Sequence, residues 1–454
     1  MMHIDTWFAG MKMYSSQRHY RFEHAFWNRT MLFESWLRNG EISLSRSTVF
    51  RLLLWHLFLI VALHGGPILA LEKPLSLNQS RVTVTGYDKN RPKDYPGIGD
   101  FGWAGNIAQL ADGRLMLVHQ WGYWHSSFSE PRLIESKLAV RWRKQNWPLD
   151  FKAPTGGRSM VTYSSDRGKT WTRPVTLIDH PQDDSPYGLL RCLDNSLLCL
   201  ISVQAPWYGF PEAPASMKHL LNGLNTQQFY IRSTDEGQSW TEPVALKTPA
   251  KFYARSHAQP IQINDQSILW PLYCSDSGTD GRLYGAIHRS TDSGRSWHLW
   301  STIRRDEINC DEPAIVQLAN GQILLVCRPD GGVLHSDDNG ISWKESGTLI
   351  TQGRIKAPRL FVLSDGTVVC VATYRRLCVF ISTDHGQHWS TPIVLDKSSY
   401  GYPGGFLMKD DSMLISYVES GRAPSRIYAI RFCLNPQRSS IELMRIDHQS
   451  GIHK

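Results

Sequence analysis

Residues able to do acid–base, nucleophilic or carboxylate-binding chemistry gather at a few places in the 454-residue chain. Asp311-Glu312-Pro313-Ala314 opens an apolar hairpin that ends on Arg328, and Arg255-Ser256-His257-Ala258-Gln259 opens another. Arg375-Arg376 and Tyr400-Gly401-Tyr402 stand at the edges of two more. Arginine offers a planar fork that meets a carboxylate in two hydrogen bonds. A tyrosine, with an ordinary pKa of about 10, is a weak nucleophile unless a nearby carboxylate can take its proton. Histidine or tyrosine among arginines also suits proton abstraction beside a uronate carboxylate, followed by elimination. The stretch from His119 to Glu130, HQWGYWHSSFSE, places Trp121 and Trp124 close to Trp103, and such aromatics make a wall for stacking on sugar. His125 and Glu130 in that stretch could donate a proton, as could Asp183 or Asp184 further along the chain.

The elements that must position them are written as a repeat. Ser-x-Asp-x-Gly-x-x-Trp occurs at Ser164/Asp166/Gly168/Trp171, Ser233/Asp235/Gly237/Trp240, Ser290/Asp292/Gly294/Trp297, Ser336/Asp338/Gly340/Trp343 and Ser382/Asp384/Gly386/Trp389. Ser and Asp side chains can bond the backbone of the turn they begin, glycine supplies positive φ, and tryptophan covers the hairpin. The motif is therefore a folding device, and its aspartates carry no catalytic role. Interleaved with it are six runs of apolar strand, two-residue turn and apolar strand, at 107–118, 189–201, 260–272, 314–326, 359–371 and 405–417. Asp-Gly, Asn-Gly and their relatives between apolar runs predict hairpins. Six inner hairpins, five of them followed by a motif-capped outer hairpin, predict an all-β, six-bladed β-propeller over residues 75–434. The segment 81–85 (RVTVT) is expected to complete the sixth blade.

This pattern resembles the sialidase superfamily, whose hallmark is the repeated Asp-box on a six-bladed propeller. The resemblance covers about four-fifths of the chain, and it implies site residues one by one. Glu312 and Arg328 are similar to the family's Glu…Arg pair across one hairpin, in which the glutamate assists a nucleophilic tyrosine and the arginine binds the substrate carboxylate. Tyr402 takes the place of that tyrosine, with Tyr400 a close rival. Arg375 or Arg376 resembles the third arginine. The first arginine is absent, because Phe101-Gly102-Trp103-Ala104-Gly105-Asn106 stands where the family has it. Arg158, Arg255 or Arg359 would have to substitute. The acid/base aspartate is missing too, leaving His125, Glu130, Asp183 and Asp184 as candidates out of register. The implied activity is an exo-α-sialidase type of glycoside hydrolysis on an acidic glycan. A uronate polysaccharide lyase using His257, or a non-catalytic glycan-binding propeller, are the alternatives.

Composition narrows the remaining classes. The formal net charge is +8, yet no run of five like charges occurs, so nucleic acid is not an expected partner. The eight cysteines show no CxxC or zinc spacing, so neither a metal nor a cofactor is expected. Residues 1–45 form a polar and aromatic tail. Within 46–74 the run VFRLLLWHLFLIVAL (49–63) has the length of a secretory apolar region rather than a full membrane span. It predicts export through a signal peptide, with translation starting further in (Met31 is a candidate), or a signal anchor as the only tie to a membrane. Residues 435–454 are expected to be a tail. Of the 17 tryptophans, five belong to the repeat, while Trp103, Trp121 and Trp124 lie where a substrate would be read.

Overall fold

Each apolar run becomes a strand, and each hairpin signal becomes a turn, in the computed structural model of the chain. It describes residues 75–86, 101–122, 157–178, 180, 182–205, 215, 218–277, 282–305, 309–420 and 425–446. The amino-terminal segment with its apolar run, together with Trp124, His125 and Glu130, lies outside the described residues. Among the described residues no helix is long and apolar enough to cross a membrane.

The strands group into antiparallel units. β2 (Phe101–Gln109), β3 (Leu115–Gly122), β4 (Arg158–Ser164) and β5 (Val175–Ile178) form the first. β6 (Asp183–Arg191), β7 (Leu197–Gln204), β8 (Thr226–Ser233) and β9 (Val244–Ala245) form the second. In the third, the inner strand is broken into β10 (Tyr253–Arg255) and β11 (Ile261–Gln262), both paired with β12 (Ile268–Ser275) and followed by β13 (Tyr284–Ser290) and β14 (His298–Ile303). One parallel pair, Tyr253 with Thr226, joins it to the second. β15 (Asp311–Gln317), β16 (Ile323–Arg328), β17 (Gly332–Ser336) and β18 (Lys344–Thr348) make a four-stranded sheet. So do β19 (Ile355–Val362), β20 (Val368–Tyr374), β21 (Arg376–Ser382) and β22 (Ile393–Asp396). The last unit, β23 (Gly401–Leu407), β24 (Met413–Val418) and β25 (Arg426–Leu434), is completed by β1 (Arg81–Gly86). β26 (Ile441–Met444) also pairs with β25, so the sheet runs past residue 434, into the segment expected to be a tail.

The core lies between neighbouring sheets. Leu324 and Val326 of β16 pack against Val368, Cys370 and Phe380 of the next unit, whose Val379 and Ile381 pack against Ile415 and Tyr417 of the last. This explains strands that are apolar on both faces, such as β7 and β12, buried at every position. The innermost strands meet around a ring, with β2 beside both β6 and β23. Asn106 bridges all three units there. Its Nδ2 donates to the Tyr187 carbonyl at 2.7 Å, and its Oδ1 accepts from Gly405 N–H at 3.3 Å. A Cβ on Gly404 would overlap the Gly105 carbonyl, so the approach of last unit to first requires glycine.

The turns are built from their sequence, with one correction. The inner hairpins have three-residue rather than two-residue loops: Gly113 N–H donates to Leu110 O at 3.0 Å, and Leu110 N–H to Arg114 O at 2.8 Å. The third loop residue is left-handed each time, as in Gly113 and Gly321, or Asn195, Gln266 and Asp411 without glycine. In every motif-capped turn the serine Oγ accepts from the glycine N–H at 2.8 Å, while Asp Oδ1 accepts from a backbone N–H four residues on. The Ser239 hydroxyl and N–H hold the Asp235 carboxyl down at about 2, the behaviour of a fixed acceptor.

Candidate active site

Asp311, Glu312 and Tyr402 sit where inner strands begin, and Arg328 sits where the strand paired with β15 ends, opposite Asp311. A local device recurs in three successive units. Glu312, Ala357 and Tyr402 each have positive φ (46, 42 and 48°), each precedes a proline, and each lies inside a register slip of its strand pair. A non-glycine residue pays strain for this conformation, which is tolerated where surrounding structure fixes it. The bulge turns those side chains out of the strand alternation, so that residues of different blades converge.

Tyr402 Oη donates to Glu312 Oε1 at 3.0 Å, a direct hydrogen bond between units. Arg328 Nη1 donates to the same oxygen at 2.9 Å and lies 3.5 Å from Tyr402 Oη. Ala357 N–H, from the neighbouring bulge, donates to Glu312 Oε2 at 2.7 Å. Arg328 Nε meets Asp311 Oδ2 at 3.2 Å, so one guanidinium bridges two adjacent carboxylates. His257 Nε2 lies 3.7 Å from Glu312 Oε1, its ring packed among Tyr187, Tyr273 and Tyr402. Glu312 and Tyr402 are buried, while Arg328 is 27% exposed and forms the accessible edge.

Electrostatics follow from burial and this crowding. Burial, then the Glu312 charge, pushes the Tyr402 phenol well above its ordinary value, so it stands as a donor. Burial opposes the Arg328 charge, but Glu312 and Asp311 outweigh it and raise its pKa. Burial and then the Glu312 charge raise Asp311 to about 7.

The arginines differ from expectation. Arg375 and Arg376 are exposed at the β20–β21 turn, and the side chain of neither forms a hydrogen bond or ion pair among the described residues. Arg375 has φ 57° at the turn tip, which directs it off the sheet, over Tyr374. In their stead the ring buries Arg255, whose Nη2 donates to Tyr187 Oη at 2.5 Å, and Arg359. Arg359 follows the Ala357-Pro358 bulge, and its Nε and Nη1 are buried without a partner. Burial lowers it to about 10, against the attraction of Glu312 and Tyr187.

Other candidates are spent elsewhere. Asp184 is buried and accepts from Ser159 N–H at 2.6 Å and His180 N–H at 2.8 Å, so both its oxygens hold backbone rather than face a substrate. Trp121 is core, packed on His119, instead of a stacking wall. Arg158 begins β4 opposite Trp121, and Tyr400 lies 4.8 Å from the Tyr402 ring. Trp103 is on β2, with its side chain, like that of Asp183, outside what is described. Sequence reasoning passed over Asp311, Tyr187 and Tyr273 as site residues, and the dipeptides Glu-Pro, Ala-Pro and Tyr-Pro at equivalent strand starts were the signal that could have ordered the site.

Residues 215–415 match the BNR repeat-like domain family. A curated sialidase from Bacteroides fragilis is 24% identical over 205 residues, which is 41% of this chain and 37% of that protein. Among solved structures, a Dyadobacter fermentans protein of unknown function has a TM-score of 0.59 at 18% identity, covering 80% of this chain and 98% of that one. Trypanosoma rangeli sialidase in complex with sialic acid has a TM-score of 0.51 at 16% identity, covering 80% of this chain and 58% of that one. At these identities the structures establish a shared fold.

Proposed function

We propose that the chain is a retaining exo-glycosidase of the sialidase type acting on an acidic glycan, a reading supported by its match to the BNR repeat-like domain family and its likeness to sialidases. The observation that carries the reading is the 3.0 Å bond from Tyr402 Oη to Glu312 Oε1 beneath an accessible arginine. A phenol held protonated becomes a nucleophile only as its proton leaves, and Glu312 is placed to take it. Tyr402 Oη would then attack the anomeric carbon, Glu312 would hold the proton, and Arg328 would stabilise the charge developing between them. Arg328, with the buried Arg255 and Arg359 nearby, gives the region the positive potential that an anionic sugar requires. Arg375 and Arg376 belong in this reading as outer-rim contacts at most.

Release of free sialic acid from a fluorogenic sialoside tests it. Tyr402→Phe should fall to background, and Glu312→Gln should lose about 10²- to 10⁴-fold in kcat with little change in KM. A Tyr402→Phe enzyme with wild-type turnover sinks the nucleophile. An ultraviolet-absorbing unsaturated uronate, formed without sialoside turnover, would favour the elimination chemistry for which His257 is placed. Glycan binding without turnover of either substrate would favour a lectin-like propeller. Export, the expectation from residues 49–63, is a separate proposal, checked by sequencing the amino terminus of the mature protein.

A further inference from the structure

Cleavage of a glycoside needs a proton for the departing oxygen, and the usual blade-one donor has no counterpart in register in this chain. Asp311 is the first residue of β15, one step nearer the open end than Glu312. It is more exposed than its neighbour, 14% against 3% of the side chain. The two carboxylates share the Arg328 guanidinium, Asp311 on Nε and Glu312 on Nη1. Nη2 of Arg328 makes no bond among the described residues, which leaves one face of the fork for a ligand.

We propose, resting on the hydrolase reading above, that Asp311 donates the proton to the leaving oxygen and works in alternation with Glu312 across Arg328. In the first step Tyr402 Oη bonds to the anomeric carbon, and its proton passes to Glu312. The bond from the anomeric carbon to the leaving oxygen breaks, and Asp311 gives that oxygen its proton, so the aglycone departs as a neutral alcohol. In the second step water attacks the anomeric carbon and gives a proton to Asp311, while Tyr402 Oη leaves and recovers its own from Glu312. Arg328 faces one negative carboxylate throughout, because one of its partners gains a proton as the other loses one. Repulsion couples the two in the useful direction: protonation of Glu312 removes the charge that kept the proton on Asp311.

The groups facing Asp311 are Glu312 on its own strand, Arg328 and the Cys327 thiol on β16, Arg255 on β10, Tyr273 on β12 and Tyr402 on β23. Burial and Glu312 raise its pKa, and Arg328 and Arg255 only partly offset them. It therefore keeps a proton near neutrality, as a general acid must.

The test compares a sialoside carrying an alkyl alcohol, a poor leaving group, with one carrying an activated phenol. Asp311→Asn should lose about 10²- to 10⁴-fold in kcat/KM on the alkyl sialoside and less than about tenfold in kcat/KM on the aryl one, whose kcat reports the water step instead. Added azide should restore turnover of the aryl substrate, and Asp311→Glu should regain part of the alkyl activity. If Asp311→Asn does not fold, the wild-type pH profile decides: kcat/KM on the alkyl sialoside should fall with rising pH near 7, and kcat/KM on the aryl one should not. Equal losses on both substrates with a raised KM, or identical pH profiles, would make Asp311 a mere counterion of Arg328 and overturn the proposal. A wild type inactive on both sialosides would instead overturn the hydrolase reading, and this assignment with it.

Discussion

Arg359 shows how the molecule gives up stability at the ring's centre. The residue is 5% exposed, and two of its three guanidinium nitrogens are buried with no partner. Its fall from 12.5 to about 10 means that holding the charge there costs about 3 kcal/mol relative to water. The sign follows directly: the folded state binds this proton less tightly than the unfolded one, so at neutral pH the charge opposes folding. Arg359→Met should therefore raise the melting temperature by several degrees while raising KM for an anionic sialoside. A lower melting temperature with unchanged KM would show the arginine to be a structural cation. At this scale the sequence named the actors better than their partners. Glu312, Arg328 and Tyr402 do converge, whereas Arg375 and Arg376 do not, because adjacent residues at a turn cannot be assigned a direction without the strand register.

Elements explain why the site survives such strain. Each motif-capped turn places two consecutive residues at positive φ, as His385 and Gly386 at 63 and 84°, and holds them with the serine and aspartate of the motif. Ser382→Ala would strand the Gly386 N–H and remove a 2.8 Å bond to Asp384. The expected cost is about 1–2 kcal/mol, read as a lower urea midpoint, with kcat/KM of the folded enzyme unchanged. A loss of activity at full stability would contradict a purely architectural role for the turn. The turn chemistry was legible because it is local: Ser, Asp, Gly and Trp lie within eight residues. The bulges at Glu312, Ala357 and Tyr402 were not, because X-Pro alone disfavours helix without specifying a left-handed residue before it.

The whole molecule contributes buried histidines that make no contact with Glu312 or Tyr402 among the bonds described. Burial lowers His119 and His288 to about 4, only partly countered by the carbonyls of Gln120 and Lys247. Both are neutral when folded, and the unfolded chain takes up their protons below about 6.5, so their contribution is intact above that pH. It is lost progressively down to about 4, by roughly 3 kcal/mol each at most. Melting temperature should therefore drop from pH 6.5 to 4, and His119→Gln should flatten the slope; an unchanged slope would place the acid sensitivity elsewhere. The repeat by itself determined the all-β architecture, the motif-capped turns and the closing role of the segment at 81–85, because period, turn residues and motif are properties of neighbours in the chain. Only the tertiary structure decided which further arginines are buried within reach of Asp311 and Glu312, and it chose Arg255 and Arg359. It also turned Asp184 into a backbone acceptor and seated Asp311 beside Glu312 on one guanidinium. Those outcomes depend on bulges and ring packing that bring together residues up to a whole circuit apart, and a strand's alternation cannot carry direction across such an interruption.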